Sequence, residues 1–273
     1  MVSATDVTFV MTWCERSELG ECLVGNREAL SLPGRELLII HPKDSWEELN
    51  NIVLASGVQS YRALEMPTAD FNKSCWLNLG VHHVRSRTVF LVDADVILEP
   101  GLVENAIAML PGHAFVTVRR GIEREPERHP QTLRGVSWLN EQQVITKMVF
   151  RNGKSATTEF WKDRDGRSFT GIMLIRKDDY IAVQGCNSAL KTWGFEDFDL
   201  QIRLQAELGL PYSAVGTAIH LTHDIPVRNG MTERRNRGIC VANYEHGNFK
   251  GTCSADVAMY GPNVMLREVG MVE

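Results

Sequence analysis

The chain has 273 residues, which is enough for one sizeable α/β domain or two small ones, and its hydrophobic fraction of 44% is sufficient for a packed core. The formal net charge is −5 and acidic and basic residues are interspersed, so the composition argues against nucleic acid or an anionic membrane surface as a partner. The sequence shows neither the pattern of a secretory signal nor an uninterrupted apolar run of about 18 residues. We therefore expect a cytoplasmic globular protein with no transmembrane segment.

Strand and helix patterns alternate over the first 100 residues. The β-rich runs are residues 6–13 and 35–42, the clearest helical run is "SWEELNNIVLASG", and "RTVFLVDADVIL" is a continuous apolar run typical of a strand buried on both faces. This alternation predicts repeated β-α units, and hence an α/β fold with a mostly parallel central sheet flanked by helices.

The remainder of the chain is more varied. Residues 113–121 read as a further strand, whereas residues 122–167 are polar and irregular and are typical of surface loops. From Phe169 onward, "GIMLIRKDDYIAV" predicts a strand followed by a helix, and "EDFDLQIRLQAELGLP" predicts a helix that ends at Gly209. A second domain boundary in the irregular segment is conceivable, but with no internal repeat we expect a single domain over residues 1–273.

Six cysteines are present, and no two of them form a CxxC pair. A chain of this length does not depend on disulfides for its stability, and no pattern of a cysteine-rich zinc site occurs. We expect reduced thiols.

Two carboxylates end the apolar strand "TVFLV". Asp93 and Asp95 would lie at the carboxyl edge of a parallel sheet, where ligands of open α/β sheets bind, and side chains two residues apart in an extended segment point the same way. Carboxylate oxygens suit Mg²⁺ or Mn²⁺, ions that usually bind to substrate phosphates. The pattern is compatible with a site for a cation and a ribose, but D-x-D is common by chance, and taken alone it is more often an aspartate that only caps the next helix.

A second acidic cluster begins the helix in "TWGFEDFDLQIRL". Glu196, Asp197 and Asp199 lie in the first turn, where the helix dipole alone stabilises anions. Trp193 precedes them, and an aromatic face beside carboxylates is what a sugar ring requires, because its C–H patches stack and its hydroxyls donate hydrogen bonds. The segment therefore has both a structural and a sugar-binding interpretation.

Two histidines follow the predicted strand "YSAVGTAI". His220 and His223, with Asp224 beside them, offer imidazole nitrogens, and these together with carboxylate oxygen favour Mn²⁺ over Ca²⁺. Either histidine alone would more often be a structural residue. As a pair beside an acid they are equally consistent with metal binding.

Five sequence blocks occur in the order found in one enzyme family. They are "FNKSCWLNLG", "VFLVDADVILEP", "FTGIMLIRKDDYIAVQG", "WGFEDFDLQIRL" and "HLTHD". In this order they resemble the inverting GT-A glycosyltransferases, and most of all the β-1,4-galactosyltransferases and the bacterial chondroitin-polymerase catalytic domains. The resemblance covers roughly residues 5–245 and is dense in residues 70–100 and 169–224.

The resemblance implies a single Rossmann-like GT-A domain, with residues 1–100 as the nucleotide-binding half and residues 101–273 as the acceptor-binding half. It implies transfer, with inversion, of a hexose or N-acetylhexosamine from a UDP-sugar to a glycan, peptide or small-molecule acceptor, with Mn²⁺ or Mg²⁺ as the cofactor. The basic segment 224–240 is either a solvated loop or, as we predict, a mobile lid over the donor diphosphate.

The resemblance also implies the metal and donor contacts. Asp95 matches the carboxylate that binds the metal on the donor diphosphate, His223 matches a metal-binding histidine, and His220 falls where the family has a further ligand. Asp93 matches the carboxylate nearer the ribose or uridine. The other implied donor contacts are Arg16 for the nucleotide, Asp44 for the uracil, Lys73 for the phosphates, and Gly171 and Trp193 for the sugars.

On the acceptor side, Asp197 matches the general base and Glu196 an acceptor-binding carboxylate. The chain departs from the family at Phe195, which stands where glycine is usual, and at Thr170, which interrupts the family's F-G-G. No acidic residue directly follows the second strand, so Asp44 is the candidate for the uracil contact.

Other functions remain compatible with these residues. A sugar nucleotidyltransferase or a sugar-nucleotide hydrolase would share the D-x-D pattern but would not need "WGFED" beside an acceptor. A non-catalytic carbohydrate-binding protein would keep a degenerate transferase fold, although the presence of Asp95, Asp197 and His223 together argues against it.

Overall fold

The computed structural model describes residues 6–125, 142–162, 166–191, 194–223 and 230–270, and within these ranges the chain forms one sheet flanked by helices. The strands are β1 (Val7–Thr12), β2 (Arg35–His41), β3 (Tyr61–Glu65), β4 (Thr88–Leu91), β5 (Val96–Leu98), β6 (Val116–Glu123), β7 (Gln142–Val149), β8 (Ser155–Lys162), β9 (Arg167–Arg176), β10 (Ser213–His220) and β11 (Met265–Val269). The helices are α1 (Leu19–Ser31), α2 (Trp46–Ala55), α3 (Lys73–His83), α4 (Leu102–Met109), α5 (Lys177–Ala182), α6 (Glu196–Leu208), α7 (Gly230–Glu245) and α8 (Cys253–Tyr260).

The sheet has two parts that differ in strand direction. Its strand order is β11-β3-β2-β1-β4-β9-β6-β10-β5. Strands β3, β2, β1 and β4 run parallel to one another, whereas β9 pairs antiparallel with both β4 and β6. Strand β10 is parallel to β6 and antiparallel to β5. The helix-flanked α/β fold is confirmed, and the sheet is mixed, with its longest parallel run in the N-terminal strands that the β-α alternation predicts.

Helices cover both faces of the sheet. On one face α1, α2 and α4 enclose a core that contains Phe9 and Phe90, and on the other α3, α5 and α6 enclose a core that contains Trp76 and Leu204. All six residues of β1 are buried. Burial on both faces explains why the central strands are continuous apolar runs.

Part of the segment that the sequence predicts as surface loops is a β-hairpin. Strands β7 and β8 pair along their whole lengths, and β8 joins β9 through Lys162 and Arg167. At its far end Ala156 packs in one cluster with Ile202 of α6. Strand β7 is largely exposed, and neither strand of the hairpin shows sustained apolar alternation, so the sequence pattern does not reveal them.

The segment predicted as a lid is helical where the structure describes it. Helix α7 begins at Gly230, so residues 230–240 are not a loop, and residues 224–229 lie outside the described ranges. Tyr244 of α7 is buried, and its hydroxyl donates to Asp199 of α6 at 2.7 Å. This tertiary support, which a polar sequence does not show, explains the helix. The mobility of the segment stays a prediction.

None of the helices in the described ranges is both long enough and apolar enough to cross a membrane. All six cysteines are free thiols, and all except Cys14 are buried. The predicted absence of a disulfide framework agrees with this.

Candidate active site

Asp93 and Asp95 lie in the turn between β4 and β5, at the carboxyl edge of the parallel strands. Asn26 of α1 fixes the end of this turn, because its amide donates to the carbonyl of Val96 at 2.7 Å and accepts from the N–H of Leu98 at 2.9 Å. A buried amide that satisfies both backbone groups holds the turn against α1. The two carboxylates therefore lie at the edge of the sheet that the sequence predicts.

Strand β10 brings the two histidines to Asp95. Because β10 is antiparallel to β5, His220 lies opposite Val96, and the N–H of Leu221 donates to the carbonyl of Asp95 at 2.8 Å. One ligand atom from each of Asp95, His220 and His223 lies within 4.8 Å of the other two, and all three residues are buried. The backbone pairing thus joins three side chains that are far apart in sequence.

The chemistry of this cluster fits a divalent cation. Asp95 Oδ1 is buried, has no hydrogen-bond partner among the described residues, and lies 3.8 Å from His220 Nε2. A buried carboxylate oxygen without a donor is costly unless an ion satisfies it. One carboxylate and two imidazoles form a ligand set that suits Mn²⁺ and other divalent transition metals. The predicted metal site is therefore possible on the residues present.

The ionisation of Asp95 suits this role. Burial alone would raise the pKa of Asp95, but the hydrogen bond from His223 and the neighbouring His220 and Arg16 outweigh burial, and the pKa lies below its ordinary value. A metal-binding carboxylate must be deprotonated, and this one is deprotonated at neutral pH.

The two histidines are held by different partners. His220 Nδ1 lies 2.7 Å from Glu123 Oε2, and because a carboxylate only accepts, Nδ1 carries the proton and Nε2 presents a lone pair. His223 Nδ1 contacts a guanidinium N–H of Arg16, which only donates, so its proton is on Nε2, 3.1 Å from Asp95 Oδ2. His220 is set to bind a metal through Nε2, whereas His223 can do so only after its Arg16 contact is released.

Glu123 is the site residue that sequence analysis missed. It is the last residue of β6 and lies opposite His220 in the parallel pairing of β6 with β10, and it also pairs with Arg167 at 3.1 Å. The sequence places the end of this strand at Gly121, and nothing in the local pattern shows that β10 is its neighbour. An acid just after a predicted strand was the only available signal.

Lys73 links the two acidic clusters. It is the first residue of α3, and its Nζ lies 2.9 Å from Asp93 Oδ1 and 3.5 Å from Asp197 Oδ1. Burial would lower the pKa of Lys73, but Asp197, Asp93 and Glu196 outweigh burial and raise it well above its ordinary value. The ammonium group therefore stays charged and connects the β4–β5 turn with the first turn of α6.

Gly171 allows Asp197 to lie directly against strand β9. A Cβ atom at residue 171 would be 2.6 Å from Asp197 Oδ2, so only glycine fits without a shift. Burial raises the pKa of Asp197 above its ordinary value, Lys73 opposes the shift, and Asp93 adds to it. A raised pKa makes this carboxylate a stronger proton acceptor.

Glu196 follows a strained turn. Phe195 has a φ of 73°, in the left-handed region that favours glycine, and the N–H of Gly194 donates to Glu196 Oε2 at 2.7 Å. Burial, and then the charge of Asp197, raise the pKa of Glu196 to about 7 although Lys73 lowers it. Glu196 therefore titrates close to neutral pH.

Two predicted donor contacts are less defined. Asp44 follows β2 at the same sheet edge, is exposed, and has a φ of 65°. Trp193 lies outside the described ranges. The uracil contact of Asp44 and the sugar contact of Trp193 stay predictions, as do the roles of the residues that the structure brings together.

Comparison with known proteins shows which fold this chain shares. Residues 154–224 match the family described as the N-terminal domain of galactosyltransferase. TarS from S. aureus superposes with a TM-score of 0.56 at 9% identity, over 87% of this chain and 39% of TarS. The mannosyltransferase PcManGT from Pyrobaculum calidifontis, in complex with GDP-Man and Mn²⁺, gives 0.54 at 13% identity, over 87% of this chain and 62% of that one. The chain has the GT-A glycosyltransferase fold.

A further structure with this GT-A fold extends the comparison. Glucosyl-3-phosphoglycerate synthase from Mycobacterium tuberculosis, in complex with Mn²⁺, UDP and phosphoglyceric acid, gives a TM-score of 0.54 at 14% identity, over 87% of this chain and 78% of the synthase. The chain spans less than two thirds of TarS and of the mannosyltransferase. No curated protein sequence matches it. The GT-A fold predicted from the five sequence blocks is confirmed.

Proposed function

We propose that the protein is a metal-dependent inverting glycosyltransferase that transfers a hexose or N-acetylhexosamine from a UDP-sugar to an acceptor nucleophile. The observation that carries this proposal is a juxtaposition at one edge of the sheet. The possible metal ligands Asp95, His220 and His223 lie beside Asp93, which Lys73 links to Asp197. The match to a galactosyltransferase domain, whose range includes Asp197 and both histidines, supports the same reaction.

The positive charges of the site would stabilise the departing diphosphate. Asp95, His220 and His223 would hold a divalent cation, and such an ion supplies neutralisation of the charge that develops on the departing diphosphate. Arg16, whose Nε lies 3.9 Å from Asp95 Oδ2, and Lys73 add two cationic side chains at the same edge. These side chains favour binding of a diphosphate and stabilise it as it leaves.

Asp197 is the proton acceptor in this scheme. Lys73 holds its Oδ1, whereas its Oδ2 lies against the backbone of Gly171, whose lack of a side chain lets the carboxylate keep this position. The acceptor oxygen forms a bond to the anomeric carbon while the bond from that carbon to the diphosphate breaks, and the acceptor proton passes to Asp197. Attack opposite the leaving UDP inverts the anomeric configuration.

The substitution Asp197→Asn tests this assignment. We expect transfer from UDP-galactose, UDP-glucose or their N-acetyl derivatives to fall about 10²- to 10⁴-fold, because the amide cannot take the proton. The rise in melting temperature that UDP gives in the presence of Mn²⁺ should be retained, since Asp197 is not among the possible metal ligands. Asp178→Asn, an exposed aspartate in the first turn of α5, is the matched control and should leave both quantities unchanged.

The products separate the alternatives. A glycoside of inverted configuration and free UDP support the transferase, whereas free sugar with UDP as the only products identify a hydrolase. Release of pyrophosphate from a sugar phosphate and UTP would identify a nucleotidyltransferase. If no nucleotide with Mn²⁺ shifts the melting temperature, the non-catalytic interpretation is correct and the proposal fails.

A further inference from the structure

A groove lies beside the candidate active site and is lined by none of the residues assigned above to the metal or the donor. It has a volume of about 840 Å³, within the range of about 300–1,000 Å³ that small-molecule sites occupy. The residues that line it include Glu159 and Trp161 of β8, Arg119 of β6 and Tyr212 next to β10. The hairpin that the sequence does not predict thus creates a second concave surface.

The groove extends to residues that neighbour Asp197, the proposed general base. Thr170 and Gln201 line it, and Gln201 Nε2 donates to the carbonyl of Thr170 at 2.8 Å. Thr170 directly precedes Gly171, and Gln201 follows Asp197 by four residues on α6, about 6 Å along the helix axis and on the same side. A ligand whose reacting group lies at Asp197 can therefore extend into the groove.

The side chains of the walls are those that bind sugars. Trp161 and Tyr212 offer aromatic faces, and Tyr212 is fixed by stacking on Phe115 with ring planes 11° apart. Glu159 is oriented by two contacts, since the Tyr212 hydroxyl donates to Oε2 at 3.3 Å and Gln143 Nε2 donates to Oε1 at 2.9 Å. Aromatic rings combined with oriented planar acceptors and donors fit the C–H patches and hydroxyls of a sugar.

An extended peptide fits this groove less well. Peptides commonly bind by adding a strand to an exposed edge. At Thr157 the edge of β8 is already used, because the N–H of Thr157 donates to Gln205 Oε1 at 3.1 Å and its carbonyl accepts from Gln205 Nε2 at 2.9 Å. The backbone of Thr157 is thus satisfied by α6 and is not open to an added strand, which favours recognition by the side chains of the groove.

We propose that this groove binds the sugar residues of an oligosaccharide acceptor that lie beyond the residue being glycosylated. This rests on the proposed function, and it narrows the acceptor from a glycan, peptide or small molecule to a glycan of two or more residues. The hairpin is then the element that selects acceptors by length, separately from the donor site.

Acceptor-length dependence tests the proposal. Binding is measured by calorimetry in the presence of UDP and Mn²⁺, with oligosaccharides of two to six residues of glucose, galactose, their N-acetylated amino derivatives or glucuronic acid. Each is compared with its terminal monosaccharide. We expect at least one oligosaccharide to bind tenfold or more tightly than its monosaccharide, and Trp161→Ala to remove that gain.

Phe160→Ala is the matched control, because Phe160 is the neighbouring aromatic of β8, is exposed, and does not line the groove. It should keep the full gain. Glu159→Ala serves as a second groove variant if Trp161→Ala fails to fold. The proposal is overturned if no oligosaccharide exceeds its monosaccharide, if the groove and control variants lose the gain equally, or if only unglycosylated peptides bind and lose affinity in the groove variants.

The melting-temperature shift by UDP with Mn²⁺ keeps this test distinct from that of the proposed function. Groove variants should retain the shift. Its absence in the unmodified protein would end the transferase proposal even if oligosaccharides bind, whereas its presence without any length dependence would end only the groove proposal.

Discussion

Single side chains decide which histidine is ready to bind a metal. The carboxylate of Glu123 places the proton of His220 on Nδ1, which leaves Nε2 facing Asp95. Arg16 imposes the opposite arrangement on His223. The two imidazoles therefore differ in which nitrogen carries the proton. One residue sets this for each ring, Glu123 for His220 and Arg16 for His223.

Substitution of Glu123 should weaken metal binding without touching a metal ligand. In Glu123→Gln the side-chain amide can donate to Nδ1 of His220, which moves the ring proton to Nε2 and blocks the metal-facing lone pair. We expect the dissociation constant for Mn²⁺ to rise about 10- to 100-fold, the usual effect of losing such a partner. Calorimetric titration of the protein with Mn²⁺, without donor, measures this directly.

Glu65→Gln is the matched control for Glu123→Gln. Glu65 also pairs with an arginine, Arg267, at 3.1 Å, but at the opposite end of the sheet. Its substitution should leave Mn²⁺ affinity unchanged. Equal affinities in the two variants would show that Glu123 does not set the tautomer of His220.

At the level of elements, a bulge in β9 positions Asp197, the proposed base. The partner of β6 jumps from Met173 at Thr117 to Phe169 at Val118, so residues 170–172 leave the regular ladder. The hydroxyl of Thr117 lies 2.9 Å from the carbonyl oxygens of both Phe169 and Ile172 and so stabilises the bulge. This irregularity lets the backbone of residue 171 meet the first turn of α6.

Gly171→Ala tests the contact between these two elements. The added methyl group would lie 2.6 Å from Asp197 Oδ2, so the carboxylate must turn away from the acceptor position. We expect transfer to fall by at least tenfold, because small displacements of a base are costly, while UDP and Mn²⁺ still raise the melting temperature. Gly238→Ala, in open space on α7, is the control and should retain full transfer. Full transfer by the Gly171→Ala variant would contradict the proposed role of Asp197 as the base.

The sequence predicts those parts of the site that follow strands directly. Asp93, Asp95 and the two histidines each come just after an apolar strand, and the edge of a parallel sheet is where such residues meet. The order of five blocks then indicates which distant segments belong together. Local patterns and their order therefore suffice to predict that the possible metal ligands and Asp197 lie near one another.

Features that depend on contacts between distant segments could not be predicted from the sequence. Glu123 acts on His220 only because β6 is the neighbour of β10, and no local pattern shows this. The hairpin of β7 and β8 is stabilised by contacts with α6, such as those of Gln205 with Thr157 and of Ala156 with Ile202, and its sequence has no sustained apolar alternation. The sequence also predicts a loop for residues 230–240, because the residue that supports α7, Asp199, lies on another helix.

For the whole molecule, the site lies where the two parts of the sheet meet. The parallel strands bring the β4–β5 turn with Asp93 and Asp95, whereas β9, α6 and β10 bring Gly171, Asp197 and the histidines. Charges of both signs are thereby concentrated in a largely buried region. Such a concentration makes stability depend on pH, because buried groups titrate differently in the folded and unfolded states.

Glu196 should make this dependence measurable. Its pKa is about 7 in the folded protein against an ordinary value of 4.5, so its contribution to stability is full below about pH 4.5 and is lost as pH rises to about 7. Glu196→Gln removes this titration. We expect it to raise the free energy of unfolding at pH 8, by up to about 3 kcal/mol relative to its effect at pH 5. Urea unfolding at both pH values provides the comparison, with Glu48→Gln, at an exposed glutamate of α2, as the control variant. The same effect of Glu196→Gln at pH 5 and pH 8 would mean that the carboxyl group of Glu196 titrates normally.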